Sequence, residues 1–200
     1  MIYRQTAIYK FLYYCNECNL EKRVVDCGAG GSMPPLGIFY TEGYKTIGIE
    51  MDDKQIALSK TFENKNNMNL NIMKGDMRKL PFNDCEIPYI YSFGSIFHMK
   101  KKDIKIAIDE IKRVMIDDGL CYINFLSKED FRYGEGEKIG DGEFIQEEGD
   151  SKVIHSYFDD DEVKEYFNDM TIIYKENRIY ERVYNGEMIK QGAIDYIVRK

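Results

Sequence analysis

Val24-Val25-Asp26-Cys27-Gly28-Ala29-Gly30-Gly31-Ser32 is a short apolar run that ends in a carboxylate and a glycine-rich turn. The run predicts a buried strand, and the glycines predict a loop whose backbone a ligand can approach closely. Pro34-Pro35 follows, suited to the first turn of a helix reaching to about Gly43, where missing N–H groups matter little. A strand, a glycine turn and a helix N-terminus in succession turn free N–H groups and the positive end of the helix dipole toward whatever binds.

The neighbours of this loop narrow the ligand. A dinucleotide fingerprint needs a third glycine three residues after Gly30, and Met33 stands there. The lysine-containing phosphate loop of nucleotide hydrolases is absent. Asp26, at the end of the strand, would repel a pyrophosphate and accept a positive charge. Thr46–Ile49 predicts a second strand ending at Glu50, about twenty residues after the glycine loop, where a carboxylate can accept both hydroxyls of a ribose. Leu70–Met73 predicts a third strand ending in Gly75-Asp76, and Asp76 can accept a hydrogen bond from an exocyclic amine of adenine. An adenosine with a cationic end and no pyrophosphate satisfies all three carboxylates. S-adenosylmethionine has that chemistry.

The rest of the chain continues the alternation. Apolar positions Ala7, Ile8, Phe11, Leu12 and Cys15 predict an amphipathic helix over residues 3–19. Asp52 is a candidate N-cap for a helix through Ala57, Leu58 and Phe62. Ile87–Phe93 predicts a fourth strand, and Cys121–Leu126 a fifth. Between them Ile104, Ala107, Ile108, Ile111, Val114 and Met115 share one helix face, and Asp118-Gly119 closes that helix with Gly119 in the left-handed position. This order calls for a doubly wound α/β fold with a mostly parallel sheet. At the tail, 171–184 and 193–198 predict two strands joined through Asn185-Gly186, with no room for a helix. They form an antiparallel hairpin at the sheet edge.

The five segments VVDCGAGGS, GIEMD, GDMRKLPF, YSFGSIFHM and the Asp118-Gly119 turn into CYINFL resemble, in order and spacing, class I S-adenosylmethionine-dependent methyltransferases of small-molecule type. The likeness covers about 22 to 127 by motif and the tail by topology. It implies a Rossmann-like seven-stranded sheet with an antiparallel last strand, S-adenosylmethionine as cofactor, S-adenosylhomocysteine as product and a small-molecule methyl acceptor. Asp26, Gly28, Ala29 and Gly30 fall in the family's first cofactor motif. Glu50, followed by Met51, matches its ribose-binding acid. Asp76 matches its adenine-binding acid, with Met77 on the ring, and Phe93 and Gly94 match positions beside the methionine part. Ser32 stands where a third glycine is frequent, and Phe93 where small-molecule members often carry a polar residue. Transfer by direct in-line displacement requires mainly orientation and desolvation. No catalytic residue is therefore assigned outright, and the two histidines, His98 and His155, are the candidates for a general base. No metal is expected.

Two hundred residues fit one domain, 1–200. The net charge of −7 argues against a protein that grips nucleic acid by neutralising phosphates. Five scattered cysteines suggest no disulfide framework, and Cys15 and Cys18 read as core thiols. No signal peptide and no membrane-length apolar run is evident, so a soluble cytoplasmic protein is expected, with no membrane partner. Residues 128–157 are expected to form a lid or insertion over the open end of the sheet, with glycines and acidic side chains concentrated at 134–150. Over 128–170 there are fifteen Asp/Glu against five Lys/Arg, which favours a neutral or cationic acceptor. Phe131, Tyr133, Phe144, Tyr157 and Phe158 either line an acceptor pocket or pin this segment down. The run Asp159–Glu162 reads as the first turn of a short helix near 159–168. Competing functions are a non-catalytic S-adenosylmethionine-binding protein and an RNA or protein methyltransferase. A nicotinamide-dependent dehydrogenase is disfavoured by Asp26 and the missing third glycine.

Overall fold

The computed structural model describes residues 7–149 and 151–200. Residues 3–6 of the expected first helix, and Asp150 of the expected lid, lie outside them. The elements run α1 (Ala7–Glu17), β1 (Arg23–Cys27), α2 (Leu36–Thr41), β2 (Lys45–Glu50), α3 (Asp53–Asn66), β3 (Ile72–Lys74), β4 (Ile87–Ser92), α4 (Lys101–Val114), β5 (Met115–Ser127), β6 (Glu137–Gly140), β7 (Glu143–Glu148), β8 (Ser151–Phe158), β9 (Thr171–Tyr184) and β10 (Glu187–Arg199). Two 3-10 turns, Ile96–His98 and Glu162–Phe167, complete the list.

Seven strands pair in the order β3-β2-β1-β4-β5-β10-β9. The first five are parallel, and β10 runs antiparallel between β5 and β9. The doubly wound sheet and its antiparallel tail hairpin are therefore as the sequence implies. Asn185 and Gly186 form the two-residue turn with φ of 51° and 84°, which suits the right-handed twist of the strands they join. The second strand of the hairpin begins at Glu187, six residues earlier than its apolar core suggests. The ladder there mixes apolar residues such as Met188 and Ile189 with Lys190, Gln191 and Gly192, and so shows no clean alternation.

Both faces of the sheet are covered. Phe11, Leu12 and Cys15 of α1 and Leu36 and Phe39 of α2 pack with Tyr89, Tyr91 and Tyr122 on one side. Ile104, Ala107, Ile108, Ile111 and Val114 of α4 pack with Ile90, Ile123 and Phe125 on the other. Full burial of each such aliphatic side chain contributes about 1.5–3 kcal/mol. All five cysteines are free, with Cys15, Cys27 and Cys121 buried in this core.

The turn at Asp118-Gly119 differs from expectation. The helix α4 ends at Val114, and residues 116–119 loop out of β5 where its pairing with β4 shifts from Ile87↔Met115 to Tyr89↔Leu120. Pro88 lies at that shift and has no N–H to give the ladder. Asp118, not Gly119, takes the positive φ, at 63°. Gly119 is required for closeness instead, because a Cβ there would lie 2.9 Å from the Ile116 carbonyl oxygen and 3.0 Å from that of Pro88. Gly119→Ala is expected to destabilise the fold by about 1–3 kcal/mol, as overpacking does. Chemical denaturation measures this, and an unchanged midpoint would show that the loop yields freely.

The remaining strands form an antiparallel extension, β6-β7-β8, joined to the far end of β5 where Leu126 and Ser127 pair with Tyr157 and Phe158. The segment 128–157 thus carries regular structure rather than a bare glycine-rich loop. Gly136 and Gly142 occupy left-handed positions at its turns. Its aromatic residues divide. Tyr133, Phe144 and Tyr157 stack edge-to-face with centroids 5.6–6.0 Å apart, and Phe158 packs on Phe125 in the main core. Phe131 is 40% exposed. The acidic run at 159–161 precedes a 3-10 turn and is tied down by lysines: Asp159 pairs with Lys128, and Asp160 and Asp161 with Lys175. Among the described residues no helix is long and apolar enough to cross a membrane.

Candidate active site

The carboxyl ends of β1, β2 and β3 converge at one edge. The glycine loop leaves β1 and is anchored to β2, since the N–H groups of Gly28 and Ala29 donate to the Ile49 carbonyl at 2.8 and 3.1 Å. Gly28 needs its φ of 97°, and a Cβ on it would lie 1.9 Å from Ser95 Oγ. A Cβ on Gly30 would lie 2.6 Å from Glu50 Oε2. Both glycines keep a space open. Glu50 is held by the backbone: Oε2 accepts from Gly30 N at 3.0 Å, and Oε1 accepts from Met51 N and Asp52 N at 2.8 Å. Asp52 caps α3 by accepting from Lys54 N and Gln55 N.

The other two carboxylates are in opposite states. Asp26 is only 1% exposed, and neither of its oxygens has a hydrogen-bond partner among the described residues. Burial pushes its pKa up to about 8; the neighbouring Tyr91 hydroxyl opposes this, though its geometry falls short of a hydrogen bond, and the charge of Glu50 adds to the rise. Asp76 is half-exposed and gripped by Arg78, whose Nε and Nη2 lie 3.0 and 2.6 Å from Oδ2. The guanidinium holds Asp76 below the ordinary carboxylate range.

These ends enclose a cavity of about 490 Å³. Gly28, Gly30, Glu50, Met51, Asp76, Met77 and Gly94 line it, as does His98. Three expected residues do not. Asp26 lies buried at the strand end behind the wall. Ala29 is fully buried, its carbonyl accepting from Ser59 Oγ at 3.1 Å. Phe93 turns to the opposite layer, where its ring lies 6.1 Å from that of Tyr122 and it borders a separate groove beside Ile8 and Met33. Gly94 stays at the cavity because Asn124 Oδ1 accepts from its N–H at 2.7 Å. Ser95, Gln55, Met99, Glu148 and Val153 also line the cavity. Ser95 follows the glycine after β4 and was within reach of a local reading. Glu148 and Val153 arrive only through the pairing of β7 with β8, which no local pattern reports.

A second cavity, of about 520 Å³, adjoins the first. His98 and Glu148 line both. Its other walls include Phe97, Phe131, Tyr157, Ile189, Asp130, Arg132, Arg182 and His155. Two carboxylates face two guanidiniums, so the strong negative charge of 128–170 is not delivered into it. His155 is buried, with its Nε2 3.0 Å from Glu148 Oε1. The rings of His98 and His155 meet edge-on at 4.7 Å, and the Nδ1 atoms of both are buried with no full hydrogen bond among the described residues, the backbone of Ile154 lying near His98 and that of Val153 near His155. Burial lowers the pKa of His98 to about 4, with repulsion from His155 adding to it. Burial lowers His155 as well, against the pull of Glu148. Both imidazoles are therefore neutral at pH 7.

Residues 25–123 match the family model described as a methyltransferase domain. A solved S-adenosylmethionine-dependent methyltransferase from Methanosarcina mazei superposes with a TM-score of 0.73 at 20% identity, covering 94% of this chain and 96% of the other. Residues 25–123 form a methyltransferase domain, on the fold of the class I S-adenosylmethionine-dependent methyltransferases. Other members and neighbours differ in detail. Sterol 24-C-methyltransferase from Pneumocystis carinii is 30% identical over 98 residues. That stretch is 48% of this chain and 25% of the fungal protein, so the chain spans a quarter of its length. The 1,6-didemethyltoxoflavin-N1-methyltransferase of Burkholderia thailandensis, solved with its acceptor and S-adenosylhomocysteine, has a TM-score of 0.68 at 12% identity. It is matched over 98% of this chain and 77% of its own.

The family's cofactor, S-adenosylmethionine, suits what the site presents. The buried Asp26 carboxyl has no hydrogen-bond partner among the described residues and, once ionised, can receive a cation. Two glycines keep a cradle that a Cβ would fill. A second carboxylate is pre-set by three backbone N–H groups, and among the described residues no lysine or arginine lines the wall to attract a pyrophosphate.

Proposed function

We propose that this methyltransferase moves a methyl group from S-adenosylmethionine to a small, largely neutral acceptor held in the second cavity. When bound, the cofactor supplies an electrophilic methyl carbon on a sulfonium. In this reading Glu50 accepts the ribose hydroxyls. Asp76, kept ionised by Arg78, accepts from the adenine amine, and Met77 and Met51 flank the ring. Asp26 receives the cationic amino-acid end, past the backbone of Gly28, Ala29, Gly30 and Gly94. Phe93 contributes through packing rather than contact. The β6–β8 extension closes the acceptor side and sets specificity as a lid.

The observation that carries the reading is the shared wall. His98 and Glu148 border both cavities, so an acceptor in the second presents its nucleophilic atom where the first opens. The balanced charges of that wall support a neutral acceptor, and its volume supports one of a few rings at most. The Burkholderia neighbour, with its acceptor bound beside S-adenosylhomocysteine, supports the small-molecule class.

Incubation with S-adenosylmethionine and a panel of thiols, phenols and nitrogen heterocycles, read as S-adenosylhomocysteine by mass spectrometry, tests this. One acceptor class is expected to be methylated. His98→Ala is expected to lower its turnover on the order of 100-fold through lost orientation while cofactor affinity stays within about threefold. Tight cofactor binding with no product from any class would return the protein to a non-catalytic binding role. Methylation of RNA or a protein instead would remove the small-acceptor reading.

A further inference from the structure

We propose that His98, Glu148 and His155 form a binding site for one divalent first-row transition metal ion, with Zn²⁺ as the reference cation, at the junction of the two cavities. Two imidazoles and a carboxylate are the donor set such ions prefer, and a three-ligand set leaves positions open. The donor atoms of the three side chains all lie within 4.8 Å of one another. His155 Nε2 and Glu148 Oε1, 3.0 Å apart, already have the separation of two ligands on one ion with bonds of about 2.1 Å.

A simple His155–Glu148 hydrogen bond explains less. It does not call for a second imidazole edge-on at 4.7 Å to the first. His155 has a side chain only 4% exposed, so its ring is fixed by packing, while Glu148 is 42% exposed at the end of β7 and is the arm able to swing in. One feature opposes a cation: Arg132 Nη1 lies 3.6 Å from Glu148 Oε1. It also pairs with Glu135 at 3.3 Å, which gives the guanidinium a second partner when Glu148 turns to an ion. The elements β7, β8 and the 3-10 turn before α4 bring the three ligands together, and the sequence separates them by up to 57 residues. Open positions on the ion would face the acceptor cavity and favour acceptors with a thiol, phenol or imidazole donor.

The test uses the full chain, stripped with chelator, carrying Cys85→Ser to remove the exposed thiol, and no S-adenosylmethionine. Zn²⁺ is titrated by calorimetry, and Co²⁺ by its visible absorption. One ion per chain is expected, with a Co²⁺ spectrum free of thiolate charge-transfer bands. His155→Gln and Glu148→Gln are each expected to weaken binding by about 100-fold or more, of the order seen when metal-site partners are lost. Glu148→Gln changes an exposed strand end, so its fold survives even where His155→Gln is damaged, and melting curves separate the two. Absence of binding in the parent, or binding in both variants as tight as in the parent, overturns the site. Because the cofactor is left out, metal binding without methyl transfer would condemn only the proposed function, and methyl transfer by a protein that never binds metal would condemn only this site.

Discussion

Glu50→Ala abolishes measurable binding of S-adenosylmethionine and S-adenosylhomocysteine in calorimetric titration, while the unaltered protein binds both and does not bind NAD. The expected loss is at least on the order of 100-fold, since hydrogen bonds to a charged acceptor contribute about 1.5–3 kcal/mol each and two ribose hydroxyls are involved. The carboxylate pays no ordering cost on binding, being held by the N–H groups of Gly30, Met51 and Asp52 at 2.8–3.0 Å. Those same bonds mean that alanine also frees three N–H groups. Glu50→Gln separates the effects: its amide oxygen can keep only part of that set, and it loses the charge. A melting temperature near the parental one together with lost binding assigns the loss to the ligand. Undiminished binding in both variants would show that the ribose is held elsewhere, and the assignment of this cavity would fall with it.

The sheet was legible because its strands are short apolar runs that stop at glycine or a carboxylate, and because α4 shows an unbroken helical period. The cofactor end was legible for the same reason: Gly28, Gly30, Glu50, Asp76 and Met77 each end a strand or follow one within three residues, so local order fixes their place. Phe93 escaped because one more residue of extended chain reverses the face on which a side chain points. Gly119 was misjudged because a glycine can serve either a positive φ or a close approach, and only Pro88 on the neighbouring strand decides which. The acceptor side was hidden more deeply. Glu148, Val153 and His155 sit on strands placed by the pairing of β8 with β5, where Leu126 meets Tyr157, and not by any pattern within them. Two histidines named as separate candidates therefore turn out to be one cluster.

The affinity for S-adenosylhomocysteine peaks near pH 8, and its acid limb belongs to Asp26. Folded and free of ligand, this carboxyl has a pKa of about 8, so at pH 7 it is mostly protonated. A cationic amino group binds its ionised form. Below pH 8 each binding event must expel that proton, and the apparent affinity rises about tenfold per pH unit from pH 6 toward 8. The ligand's own α-amino group, with a pKa of roughly 7.7–8.0, loses its charge above that and brings the affinity down again. Titrations at pH 6.5 in buffers of different ionisation enthalpy should report close to one proton released. Asp26→Asn should flatten the acid limb and weaken binding at the peak. The same substitution acts on stability with the opposite sign. The unfolded carboxyl titrates near 3.9, so its raised folded value is a contribution present below about pH 4, lost as pH climbs through that range to about 8, and constant beyond. Asparagine carries no such penalty, so the ligand-free variant should melt higher than the parent at pH 8 while binding less. A parent protein whose affinity does not change between pH 6 and 8, or an Asp26→Asn variant that loses stability there, would mean that the buried carboxylate is already satisfied and that the cation is received by another group.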